Sequence, residues 1–348
     1  MSGSIDFILE REHPQWDAIR SGVAHPGTTL VSCEAAQWQA AIGSGNADWL
    51  VLADRRAAVT AADFLGVEQH LAAAKTPLWL QPLTMSSAAK RFVGEQCAAA
   101  VSLCWNNPAL DSLVCVRRAG LAALPAMTDG HSDAIWDWLI RAGGRPGVLS
   151  QPASSDGAAN GELSQDQLRS LVSRPALPEQ HWLIAHIQRA KPSQFVPEKK
   201  SEADSVAVKA GLLLWHDAAD ASHQLSQSIE GLGQHQAGDY WHAITHRREP
   251  DYSNAKYWFR HLGEHPVFAE LRPYAEQALQ NVADGDTWNT RLSGTRGWDP
   301  FAFIDLCAAC EGREDSPLGL AARRIQTTEM QLLIVSAWRD ASGHSLTL

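Results

Sequence analysis

His242 and His246 stand four residues apart in DYWHAITHRRE, an HxxxH pair, and Glu249 follows about one helical turn later. On an α-helix, positions i and i+4 share a face, so the two imidazoles converge on one point and suit zinc, iron or manganese. The residues between them are Ala243, Ile244 and Thr245. The glutamate that acts as base inside an HExxH motif is therefore missing, which leaves Glu249, Asp251 or His242 as the acid–base group. A second set precedes this one: His216, Asp220, His223 and Gln227 follow at steps of four, three and four, which predicts two more histidines and an acid on one helical stripe. A divalent metal held by His242, His246, His216, His223 and Asp220 is one reading of this set. A buried hydrogen-bond network that joins helices is the other.

The same stretch mixes rings with polar groups. Tyr240, Trp241, Tyr252, Tyr257, Trp258 and Phe259 are interleaved with Arg247, Arg248, Asp251, Asn254 and Lys256. That mixture is too polar for a plain core and too aromatic for a plain surface, and it is the composition of a pocket lining. Arg247 and Arg248 offer forked donors, Asp251 and Asn254 accept from and donate to hydroxyls, and Trp241, Tyr257 and Trp258 offer flat faces. A small polar ligand, anionic or polyhydroxylated, is expected.

The elements that must carry these residues are helices. From Ser205 the pattern has helical period nearly to the end, through VAVKAGLLLWHDAADASHQLSQSIEG and DYWHAITHRRE. Pro250 interrupts the second of these, and SNAKYWFRHLG begins another helix with Ser253 as its expected N-cap. RPYAEQALQNVA, FAFIDLCAACEG and the closing LGLAARRIQTTEMQLLIVSAWRDA read as helices, and NTRLSGTRGWDP reads as a loop. Residues 1–150 behave differently. SIDFIL, TTLVSC, ADWLVLAD, TPLWLQPL, DSLVCVRR and RPGVLSQ are strand-like runs alternating with helical stretches, so this half should be an α/β domain with a mostly parallel sheet. Residues 151–204 are Ser, Gly and Pro rich in two places and read as a linker with short helices, which leaves 205–348 as an all-α domain with a polar, aromatic pocket.

Residues 47–150 resemble a family 2 glycosyltransferase domain with the A-type nucleotide-sugar fold. The likeness rests on ADWLVLAD ending at Asp54, on Val114-Cys115-Val116-Arg117-Arg118-Ala119-Gly120-Leu121 about sixty residues later, and on the Trp136-Asp137-Trp138-Leu139-Ile140-Arg141 run before a glycine. The resemblance implies a metal-binding Asp-x-Asp at Asp54-Arg55-Arg56, where an arginine replaces the second acid. It also implies a Glu-Asp pair at Ala134-Ile135, where neither acid is present. What it carries over is a degenerate domain in which Asp54 and Arg56 would face a diphosphate. Residues 212–270, including HRREPDYSNAKYWFR, are similar to a segment of uncharacterised bacterial and fungal proteins, and that likeness implies no activity.

A net charge of -10 argues against nucleic acid or an anionic membrane as partner. The N-terminus lacks a signal-peptide pattern and no segment is apolar enough to span a bilayer, so a cytoplasmic protein is expected. The six cysteines fall mostly in apolar runs, and Cys307-x-x-Cys310 has no second pair to complete a zinc site. Three functions are open at this point: a carbohydrate or nucleotide-sugar binding protein that is also an enzyme or not, a metal-dependent enzyme using the helical histidines, and a non-catalytic interaction protein.

Overall fold

The computed structural model describes residues 5–10, 16–17, 20, 28–33, 37–53, 78–82, 112–121, 147–148, 165, 168–176, 181–196, 199–294 and 297–343. The chain divides into two compact units, one formed by Met1–Gly161 with Leu177–His186 and the other by Glu162–Ala176 with Ile187–Leu348. Segment 162–176, expected as part of a linker, thus packs with the helical unit. Asp54, Arg55 and Arg56, with residues 133–141, lie outside the described residues.

The first unit is built on strands β1 (Ile5–Glu10), β2 (Thr28–Cys33), β3 (Trp49–Ala53), β4 (Leu78–Pro82), β5 (Ser112–Arg117) and β6 (Gly147–Val148). Each falls on one of the runs predicted as a strand. They form one sheet in the order β2-β1-β3-β5-β4-β6. β1 pairs in parallel with β2 and β3, and β4 with β6, while β5 runs antiparallel to both β3 and β4. The sheet is mixed, with β5 as the reversed strand. Consecutive residues Trp49, Leu50 and Val51 are all buried, as a strand covered on both faces requires. Asp6, also buried, is held by Arg118 at 2.5 Å, and Arg118 Nε donates to the Ala47 carbonyl at 2.7 Å.

The second unit is helical: α1 (Glu202–Trp215), α2 (Ala219–Ser228), α3 (Ala237–Arg248), α4 (Tyr252–Leu262), α5 (Val267–Leu279), α6 (Gly285–Ser293), α7 (Pro300–Ala309) and α8 (Pro317–Ser342). Four of these starts follow capping chemistry. Ser201, Asp251, Asp299 and Ser316 each accept a backbone N–H of the first turn, and Pro300 and Pro317 occupy the first helical position, where no donor is lost. α8 ends at Gly343, which has φ 67°, a conformation glycine adopts without strain. The cap of α4 corrects one expectation: Asp251 accepts from the Asn254 N–H, and Ser253 donates its hydroxyl to Asp251 instead of capping. A second correction concerns 289–300, where α6 occupies the first part of the expected loop.

α1 is buried along most of its length and packs against α2, α3 and α8. Gly211 lets α3 approach closely: a Cβ there would stand 2.5 Å from the Trp241 indole. α2 is tied to α1 where the Ser222 hydroxyl donates to the Ala210 carbonyl at 2.8 Å. α3 and α4 form a hairpin across the turn at Glu249 and Pro250, and α7 packs on α4. Every residue of α3 is buried although half of them are polar. Buried polar groups need internal partners, and the search for those partners leads to the site.

Candidate metal centre

His223 on α2 and His242 and His246 on α3 meet at one place. Their ring centroids are 4.4 Å (His223 to His242), 4.8 Å (His242 to His246) and 5.2 Å (His223 to His246) apart, a nearly equilateral triangle. One ring nitrogen from each lies within 4.8 Å of the others. A tetrahedral zinc with nitrogens at about 2.0–2.1 Å would hold them about 3.3 Å apart, so side-chain adjustments of about 1 Å close the set on an ion. The i, i+4 spacing on α3 places two of the three, and the tie of Ser222 to α1 places its neighbour His223.

The electrostatics suit a ligand set. His242 is 2% exposed and its Nδ1 has no hydrogen-bond partner. Burial, reinforced by the neighbouring charges of His223 and His246, pushes its pKa down to about 3. His246 is lowered as well, chiefly by burial, with Glu249 opposing that shift. Both are therefore neutral at physiological pH; His242 Nδ1 is without a partner, and a cation at His246 Nε2 would take the place of the Asn254 amide. A buried ring nitrogen without a partner costs about 1–3 kcal/mol, which a metal–nitrogen bond would remove.

Groups around the triangle fix its rings. Trp258 of α4 stacks on His242 with centroids 3.9 Å apart and planes 25° apart. Glu249 places a carboxylate oxygen 3.3 Å from His246 Nδ1, and the Asn254 amide lies 3.1 Å from His246 Nε2. The carboxylate that the sequence offers as a base is thus the partner of a candidate ligand, an arrangement that orients the imidazole and raises its basicity. Asp251, also read as an acid–base group, is exposed and committed to capping α4, and this hydrogen bond lowers its pKa.

Other predicted site residues lie elsewhere. His216 is the C-cap of α1, and Asp220 sits exposed in the first turn of α2. The stripe that joined His216 to His223 assumed one continuous helix, but the chain turns at Asp217, with φ 61°, which breaks the phase; Asp220 shares α2 with His223 yet stays exposed and outside the triangle. Arg247 is fully buried, paired with Glu329 of α8 and donating to Gln326 Oε1 at 3.3 Å. Arg248 is equally buried, 2.5 Å from Asp217 and donating to the Leu214 carbonyl at 3.1 Å. Neither guanidinium faces a ligand. Trp241 is core, against Gly211. Tyr257 is 48% exposed and contacts Trp258 edge to face at 5.7 Å, so a flat surface does adjoin the triangle.

Several contributors had no signal in the sequence. Glu329 lies in the closing helix, far from the HRRE segment it pairs with, and the Tyr240 hydroxyl also donates to it at 2.9 Å. Among the described residues Cys115, Cys307 and Cys310 are free and buried, and burial pushes the Cys307 thiol up to about 12, so that pair behaves as core. No described helix is long and apolar enough to cross a membrane. Comparison with protein-family models, with curated proteins and with solved structures finds no match.

Proposed function

We propose that the helical unit is a metal-dependent enzyme that holds one divalent transition metal through His223, His242 and His246. The observation that carries this reading is the convergence of three imidazoles from two helices around a buried, unpartnered nitrogen. Three imidazole ligands would leave a coordination position for water, and a bound cation would lower the pKa of that water to about 7, so hydrolysis is the reaction class the donor set suits. Glu249, at His246 Nδ1, is a positioning residue for His246, and Trp258 holds the plane of His242.

Elemental analysis tests this. The purified chain should carry or take up one equivalent of zinc, or of another divalent transition metal, and His242→Ala/His246→Ala should lose it. Glu249→Gln should weaken metal affinity about 10- to 100-fold while leaving stoichiometry intact. A chain that takes up no metal from zinc, nickel or cobalt solutions would remove the reading. A carbohydrate or nucleotide-sugar substrate is the second reading, supported by the exposed Tyr257 ring beside Trp258, a platform on which a sugar could stack.

A further inference from the structure

A groove of 670 Å³ opens on the helical unit between the end of α4, the start of α5 and the start of α7. Volumes of about 300–1,000 Å³ are those of small-molecule sites. None of the three triangle histidines lines it. Its apolar lining is ring-rich, with Phe259, Phe268, Phe301 and Trp298 contributing. Aromatic faces at this density accommodate a flat apolar body by offset or edge contacts.

Two of the lining groups are buried donors with nothing to donate to. Trp298 is 4% exposed and its Nε1 has no partner. His265 is likewise 4% exposed, and its Nδ1 accepts the Val267 N–H at 3.2 Å, so the proton of the neutral ring sits on Nε2, which has no partner either. Each such N–H is unfavourable by about 1–3 kcal/mol until an acceptor arrives. Arg260, the one Arg or Lys of the lining, lies 5.8 Å above the Phe301 ring. The N-terminus of α7 adds nothing further, because the Asp299 carboxylate already accepts from Phe301 and Ala302.

We propose that this groove is a second binding site, for a small aromatic carboxylate. Its oxygens accept from Trp298 Nε1 and His265 Nε2 and pair with Arg260, and its ring lies among Phe259, Phe268 and Phe301. The donor count decides the sign of the charge: three donors line a groove whose carboxylates are Asp299, used as a cap, and Glu264, exposed at the rim.

The test is calorimetric titration with 3-phenylpropionate, 3-phenylpropanamide and propionate, using the full chain and its His242→Ala variant. 3-Phenylpropionate should bind once per chain, the amide about 10-fold more weakly, and propionate not measurably. Arg260→Gln, an exposed change that leaves the fold alone, and Trp298→Phe, which keeps the ring body, should each weaken binding about 10-fold. His242→Ala should leave it unchanged, which separates this site from the histidine triangle. Absence of saturable binding at millimolar 3-phenylpropionate, equal binding by the amide, or indifference to Arg260→Gln would overturn the proposal. So would loss of binding in His242→Ala, which would place the probe on the metal.

Discussion

A guanidinium with no exposed surface meets a ligand only by leaving its carboxylate, and Arg247 has Glu329 as that carboxylate. Removing one partner of such a buried pair costs about 3–5 kcal/mol, far more than a single ligand contact returns. The same reasoning assigns Arg248 to Asp217 and separates both from the histidine triangle. His265 allows a prediction at this scale. Burial, with the His235 charge adding to it, holds its pKa at about 3 against an ordinary 6.5. The groups around it are His235, itself 2.8 Å from Asp340, and Tyr240. The unfolded chain binds a proton at this position below pH 6.5 and the folded chain does not, so stability is full above pH 6.5 and declines as pH falls towards 3. His265→Asn keeps an acceptor for the Val267 N–H but cannot titrate. Denaturant midpoints from pH 7.5 down to 5 should fall less steeply for the variant than for the parent, and parallel slopes would contradict the assignment.

At the scale of elements, α1 decides how α2 and α3 meet, because both are tied to it. Gly211 is the contact that brings the α3 backbone close, and a methyl there would overlap two atoms of the Trp241 ring at 2.5 and 2.7 Å. Alanine is the better helix former by about 1 kcal/mol, but overpacking a closed core costs about 1–3 kcal/mol, and the indole, 0% exposed, has no room to retreat. Gly211→Ala should therefore lower stability in chemical denaturation, and because His242 follows Trp241 directly it should weaken metal uptake as well. A variant as stable as the parent would show that α3 can shift without loss. The α3–α4 hairpin has a different logic: Pro250 ends one helix, Asp251 starts the next, and this tight reversal sets Asn254 against His246 and Trp258 against His242.

At the scale of the whole molecule the two units have separate cores, one on a sheet and one on helices. Separate cores predict more than one transition in thermal unfolding. Zinc, binding only the folded helical unit, should raise one of these by mass action, and Gly211→Ala should lower that same one. A metal that shifts every transition equally would count against a site confined to the helical unit. The six strands were legible in the sequence because β-branched and apolar runs bounded by polar turns specify a strand locally. The break at Pro250 follows equally local chemistry, and the i, i+4 spacing alone set His242 beside His246, whereas Asp251 and not Ser253 caps α4. Position 216 misled because phase along a helix is local as well: once the chain turns at Asp217, spacing says nothing about direction. Which residues meet across helices belongs to the tertiary structure. That His223 completes the triangle, that Glu329 takes Arg247, and that Trp298 and His265 line one groove depends on how α1 orders its neighbours, since contacts between residues distant in sequence are fixed by packing and not by periodicity.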